Sequence, residues 1–366
     1  MSLERPLTVS PDRADADDAT VARSALDQRT SAQATTHLLR AGGLLLALGV
    51  LALFVLLSIA VGAKSIPPGT VWNALLHYDG SYDHVVVREL RLPRTVLGIA
   101  VGAALGLAGA LMQALVRNPL ADPGILGVNA GATTAVVIAI FVFGLTSMDA
   151  YIWFAFAGAG LTAVLVYFLG SRGRTGATPV RLALAGTAVA AVLVGITSAI
   201  IITNEFVFDQ IRFWQVGALV GRDLDVLVKV APFLIGGMFL ALFLGPALNA
   251  VSLGEDMAAA LGANINRTRI GTALSVVLLC GAATAAAGPI AFVGLAVPHV
   301  ARLVTGPDQR WVLPYSAVLA AALLVGADTL GRVVLPNGEL EVGIITALIG
   351  APIFIALVRR KRMAQL

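Results

Sequence analysis

Ten apolar stretches divide this chain, most of them close to the length a helix needs to cross a bilayer. They run over 38–62, 93–115, 124–145, 150–170, 182–204, 226–247, 268–287, 289–304, 313–334 and 342–358. At a rise of about 1.5 Å per residue, roughly 20 residues span the ~30 Å hydrocarbon core. Lipid offers no partner to a bare N–H or C=O, so such stretches fold as helices that satisfy their own backbone. Composition excludes an ordinary soluble domain. Hydrophobic residues make up 58% and charged residues 13%, against roughly 45–50% and about 25% in soluble proteins. The expected fold is an all-α polytopic membrane protein with about ten transmembrane helices. The eighth stretch is short and is broken by Pro298, which is acceptable only where other helices shield it.

Residues 1–37 are polar and rich in Ala and Asp, with no early apolar core of a signal peptide. They are expected to form a disordered cytoplasmic tail. Residues 38–358 form the transmembrane domain, with a polar cytoplasmic insert at 248–267, and 359–366 form a short basic tail. Lys and Arg set the orientation. With the N-terminus inside, 17 of the 25 Lys and Arg fall on the inner face and eight on the outer. Both termini are then cytoplasmic, and the loops over 63–92 and 204–225 face outward. The net charge of +4 thus reflects basic loops on one membrane face and says little about nucleic acid.

Several kinds of chemistry are missing. No glycine-rich phosphate loop ending in Gly-Lys-Ser or Gly-Lys-Thr occurs, so the chain alone has no ATPase signature. His37, His77, His84 and His299 are scattered without metal-ligand spacing. No Ser/His/Asp set suggests a catalytic triad. Cys280 is single, which excludes an internal disulfide, and lies in an apolar run, where a cysteine acts as a small buried hydrophobe. His299, beside Pro298, reads as structural rather than as an iron ligand. Asp328 is the main acidic residue within an apolar run, four residues before Arg332 and able to pair with it on one helix face. A proton- or sodium-coupled carrier needs more mid-membrane carboxylates or broken-helix sites than this.

Three local patterns stand out. Ser252-Leu253-Gly254-Glu255 has the spacing of a capping box, and Met257, Ala258, Ala260 and Leu261 follow near helical spacing before Gly262. Such a short exposed helix either docks a partner or merely turns the chain. Gly98, Gly102, Gly106 and Gly109 form a flat stripe, read as close packing within one subunit in preference to a dimer seam. Arg117-Asn118-Pro119-Leu120-Ala121-Asp122-Pro123-Gly124 is a helix-stopping turn in which Asn118 and Asp122 can bond freed backbone groups.

Five segments together resemble a known family. They are Arg91-Leu92-Pro93-Arg94; the run from Gly109 through Arg117-Asn118-Pro119-Leu120 to Val128; Leu253-Gly254-Glu255; Gly288-Pro289 to Pro298-His299; and Gly343 to Phe354. In this order and spacing, over about residues 38–362, the chain resembles the FecCD/BtuC-type permeases of bacterial ABC importers, with the type II importer fold. The resemblance implies a dimer with a second permease subunit, identical or related, and a translocation path between the two. It implies an insert, with Gly254, Glu255, Ala258, Leu261 and Gly262, that docks on a cytoplasmic ABC ATPase dimer. It implies that Arg91, Arg94 and Arg332 meet acidic residues of an extracytoplasmic substrate-binding protein. Arginine's planar fork suits that pairing; from the residues alone, Arg94 can equally anchor at the interface and Arg332 pair with Asp328. The path would be lined by the fifth span, the turn near Asn129 and Gly131, and parts of the eighth and tenth. No cofactor is expected in this chain; ATP and Mg belong to the partner ATPase. The implied cargo is a ferric siderophore, with haem or cobalamin as the alternative. An ion-coupled carrier and a membrane scaffold without transport are rivals of other classes.

Overall fold

The computed structural model describes residues 11–62, 64–172, 179–335 and 338–359. Among these the regular elements are all helical. In order they are α1 (Pro11–Ala60), α2 (Pro68–Leu76), α3 (Tyr82–Val85), a π-helical turn (Val86–Arg91), α4 (Leu92–Val116), a 3-10 turn (Pro123–Leu126), α5 (Val128–Phe143) and α6 (Met148–Ser171). Then follow α7 (Pro179–Thr203), α8 (Glu205–Val216), α9 (Leu224–Phe243), α10 (Gly245–Ser252), α11 (Glu255–Ala260), α12 (Ile265–Ala287), α13 (Val293–Thr305), α14 (Gln309–Val334) and α15 (Val342–Arg359). The chain divides into a unit of Met1–Leu46 and one of Ala47–Leu366, and the second holds every element after α1.

Every apolar stretch read from the sequence is a helix. Seven are long and apolar enough to cross a membrane, and Val128–Phe143, Val293–Thr305 and Val342–Ala356 are shorter apolar helices. The disordered tail expected over 1–37 meets helix from Pro11 onward, in a segment rich in good helix formers. Residues 1–10, Arg174 and the basic tail from Arg360 lie outside the described residues. The interruption of the eighth stretch is also relocated. Pro298 sits inside α13, and the helix instead starts late, after Gly288 to Phe292, with Phe292 in the left-handed region at φ 66°. As the sixth residue of α13, Pro298 removes one i→i−4 hydrogen bond, that to the Gly294 carbonyl, and the helix continues past it.

The core is built on α4. In its membrane-crossing window 78% of residues are buried, against 11% for α7, and a helix apolar all round belongs in the interior. α4 packs along α14, α12 and α13. The glycine stripe makes this possible. A Cβ on Gly102 would lie 2.7 Å from the Ala320 carbonyl oxygen, one on Gly106 would strike the Ser316 carbonyl, and one on Gly109 the Gly294 carbonyl. The stripe is therefore an internal packing face, as the sequence reading preferred. Small residues let backbones approach where lipid supplies no hydrophobic drive.

The loops over 63–92 and 204–225 hold helices that counting apolar runs misses. In α8, Asn204 accepts a hydrogen bond from the Val207 amide at 3.0 Å, capping the helix. Val207, Ile211 and Trp214 are buried while Phe206, Phe208 and Phe213 are exposed. That i, i+4, i+7 pattern was legible as an amphipathic helix, but it is too short and polar to register as a span.

Candidate functional site

The insert departs from the capping box in detail. Ser252 ends α10, and its hydroxyl donates to the Asn249 carbonyl at 2.7 Å instead of capping the next helix. The residue before α11 is Gly254, at φ 108°, a backbone conformation that disfavours any side chain. Glu255 opens α11; its side chain lies outside the described residues. At the far end the Gly262 amide donates to Ala259 and the Ala263 amide to Ala258, both at 2.9 Å, with Gly262 at φ 79°. This is the Schellman ending, so Gly262 ends the helix, as its place in the sequence suggests. Ala258 is fully buried and faces the body of the protein, which corrects its placement on the contact face. Leu253, Met257 and Leu261 are each more than half exposed. Met257 and Leu261 lie one turn apart on α11 and its C-terminal end, and Leu253 precedes the helix across Gly254; together they leave an apolar strip on a charged loop.

Asn264 accepts from the Arg267 amide at 3.0 Å and caps α12 directly after the insert. Asn264→Ala should cost about 1 kcal/mol of helix-end stability, read as a lower midpoint of thermal unfolding in detergent; an unchanged midpoint would remove the cap from the account. Upstream, Asn249 Nδ2 donates to Asp308 Oδ1 at 2.6 Å, and Asn249 Oδ1 accepts from the Gln309 amide at 2.8 Å. Asp308 is the N-cap of α14. Burial pushes its carboxyl pKa up, but hydrogen bonds from Arg310 and Asn249 outweigh this and hold it below the ordinary value.

Arg91, Arg94 and Arg332 are buried and bonded within their own chain. Arg91, at the end of the π-helical turn, donates to the Ile59 and Ala60 carbonyls at 2.8 Å and to the Lys64 carbonyl. It thereby satisfies the orphan C-terminal carbonyls of α1. Arg94 grips Asp328 in two-pronged fashion at 2.8–2.9 Å and reaches Glu339 at 2.7 Å. Arg332 bonds Asp328 at 2.9 Å, the Ser58 carbonyl at 2.8 Å and the Ser58 hydroxyl at 2.6 Å. Ser58 and Thr95 hydroxyls lie 2.7 Å apart, and Thr95 donates to the Arg91 carbonyl. Asp328 thus pairs with two guanidinium groups, joining α1, α4, α14 and the segment before α15. The pairing of Arg332 with Asp328, one of the sequence alternatives, is formed. The arginines line a cavity of about 260 Å³ together with Lys64, Glu89, Arg222 and Glu339.

Along the expected path, Asn129 Oδ1 accepts from the Thr284 hydroxyl at 2.9 Å, joining α5 to α12. Gly131 lies in the seam with α6, where a Cβ would collide with the Gly158 carbonyl and the Thr162 side chain. It therefore sits at a helix contact and not on an open wall. The turn after α4 is built as read: Asn118 accepts from the Leu120 amide at 2.9 Å and Asp122 from the Gly124 amide at 2.7 Å. Gln113 donates to the Leu295 carbonyl at 3.0 Å and accepts from Arg302, bracing α4 against α13. Neither this brace nor the Asn249–Asp308 contact was visible from spacing, since each joins residues far apart in sequence. Among the described residues no group of three or more His, Cys, Asp or Glu could hold a metal ion.

The model of the FecCD transport family matches residues 50–360. The chain belongs to the FecCD transport family. It is 50% identical over 329 residues to the ferric enterobactin transport system permease protein FepD of Escherichia coli, covering 90% of this chain and 97% of that protein. It is 45% identical over 290 residues to the siderophore transport system permease protein YfiZ of Bacillus subtilis, covering 79% and 87%. Among solved structures it is similar to an inward-facing metal-chelate type ABC transporter, with a TM-score of 0.76 and 27% identity, covering 86% of this chain and 98% of that one. This FecCD protein is accordingly a multi-pass protein of the bacterial inner membrane and the membrane subunit of a transport system.

Proposed function

We propose that this FecCD protein is the permease subunit of an ABC importer that brings a ferric siderophore into the cytoplasm. The observation that carries the reading is the half-identical, nearly full-length match to a ferric enterobactin permease. The cargo preference over haem or cobalamin rests on relatives named for enterobactin, siderophores, citrate and hydroxamates. The chain catalyses no reaction, and ATP and Mg sit on a separate ATPase dimer. The ten apolar helices cross the membrane with both termini cytoplasmic, the orientation that the Lys and Arg distribution supports.

In this reading α11 is the element that meets the ATPase. The strip of Leu253, Met257 and Leu261 fits the helix-in-groove mode, with Gly254, Glu255 and Gly262 at its ends. On the outer face, Arg91, Arg94 and Arg332 shape the surface on which a substrate-binding protein rests, and they act by holding the cavity and its acidic rim in place. α7 and α15 leave large apolar faces exposed in the single chain, as a second permease subunit across the path would require. Asn129 stands at the start of α5 near that path, with Gly131 supporting it from the α6 seam. ATP binding closes the ATPase dimer and biases the spans between two arrangements.

The test is copurification with the ATPase subunit and ATP hydrolysis in lipid. Leu261→Asp places a charge within the strip and should weaken ATPase retention by at least about tenfold, as for truncation of an interface anchor. Glu255→Arg should lose or uncouple the ATPase. Retention and coupled hydrolysis equal to wild type in both variants would leave α11 a simple turn and return the ion-coupled carrier to consideration.

A further inference from the structure

α11 is held at each end by a glycine at positive φ, Gly254 and Gly262, and a Cβ at either would meet nothing within 4 Å. Main-chain hydrogen bonds cross both joints, Gly254 to Val251 and Ala263 to Ala258, and Ala258 between them is fully buried. α10, immediately before the insert, is held firmly. A Cβ on Gly245 would lie 3.6 Å from the Leu313 side chain and 3.7 Å from the Arg310 nitrogen, so α10 runs close to the start of α14, and Leu248 and Leu313 are each 1% exposed. Asn249 then uses both ends of its amide on the same helix start, donating to Asp308 and accepting from the Gln309 amide. The amide orientation is fixed chemically, since the flipped form would set oxygen against carboxylate and N–H against N–H.

From that point α14 runs for 26 residues along the glycine stripe of α4, about 39 Å at the α-helical rise. Its far end carries Asp328 and Arg332, which hold Arg94, Ser58 and, through Arg94, Glu339. A close-packed helix moves as a unit because its neighbours interdigitate with it.

We propose that Asn249 is a positioning residue that clasps the ATPase-facing insert to α14, and that α14 carries the resulting displacement to the arginine network on the outer face. The idea rests on the ATP-driven reading above and adds a route to it. The competing route is α12, which follows the insert directly and is capped by Asn264. A route through α12 alone would leave Asn249 dispensable.

The experiment uses the complete transporter in proteoliposomes, with its ATPase, second permease and binding protein, and ferric enterobactin as the probe. Wild-type uptake and ATPase retention are established first; their failure sinks the importer reading itself. The measured quantity is iron delivered per ATP hydrolysed. Asn249→Asp sets one carboxylate against another and should lower that ratio about tenfold, the scale of losing a hydrogen bond to a charged group, while the ATPase still copurifies. Asn249→Leu should do the same without added charge. Adding Asp308→Asn to Asn249→Asp exchanges the two chemistries: the new amide at 308 donates to the new carboxylate at 249, which still accepts from the Gln309 amide. The pair should recover coupling to within about twofold, as expected when a double-mutant cycle restores a direct contact. A purely structural lesion would not respond to that exchange. Normal coupling in both single variants, or an assembled exchange variant that stays uncoupled, overturns the proposal. If Asn249→Asp prevents assembly, recovery of assembly and coupling together by Asp308→Asn supports the clasp, and absence of recovery overturns it.

Discussion

Asp328→Ala is expected to destabilise the folded protein by about 3–5 kcal/mol, the cost of removing one partner from a buried ion pair. Asp328 is 2% exposed and is the shared acceptor of Arg94 and Arg332, themselves 7% and 4% exposed. Without it two guanidinium groups face each other with no carboxylate between them. Arg94 retains Glu339, and Arg332 retains only Ser58 and the Asp328 main-chain carbonyl. The damage should spread to the ends of α1 and α4, because Ser58 and Thr95 belong to the same network. Glu339→Gln is the control. That side chain is 33% exposed, and partly solvated pairs contribute at most about 1 kcal/mol. Thermal unfolding of detergent-solubilised protein should therefore separate the two variants widely. Equal small shifts would mean that the buried network does not support this end of the fold.

Gly109→Val is expected to abolish stable packing of α4, at a cost of at least about 3 kcal/mol, the upper range for overpacking. The obstacle is backbone and not a flexible side chain. A Cβ on Gly109 would fall on the Gly294 carbonyl, and Gly294 is itself pressed close, 3.0 Å from the Leu105 carbonyl if it carried a Cβ. Neither helix can retreat without breaking the α4–α13 brace of Gln113 and Arg302. Gly236→Ala in α9 provides the contrast. Nothing lies within 4 Å of a Cβ there, so alanine should be neutral or stabilising by up to about 1 kcal/mol. Fluorescence-detected size exclusion of membrane extracts reads both. A monodisperse Gly109→Val protein with unchanged melting would contradict the packing assigned to the stripe.

Much of this was readable in one dimension because the signals are local. An apolar run of spanning length forces a helix wherever it lies in the chain, and all ten stretches are helices. The Arg117–Gly124 turn was legible because Asn118 and Asp122 bond amides two residues away. Gly262 was readable as a helix end for the same reason. The strip on the insert was only half legible. Helical spacing indicated α11, but which face points outward depends on what α10 and α12 do around it, and Ala258 proved to be turned inward.

Arg91, Arg94 and Arg332 mark the boundary more sharply. Their clustering in Arg-Leu-Pro-Arg and at Arg332 was evident, and so was the partner Asp328 four residues from Arg332. The contacts of Arg94 with Asp328 and Glu339 span more than 200 residues of sequence, as does that of Arg332 with Ser58. The clasp of Asn249 on Asp308 is of the same kind. By itself, then, the sequence determined the apolar helices, the Arg117–Gly124 turn, the end at Gly262 and the family, because hydrophobic length, caps and turns act over a few residues. Only the tertiary structure decided which polar side chains meet. Burial removes water as a competitor, and each buried charge must then find its partner on whichever helix packing brings within reach.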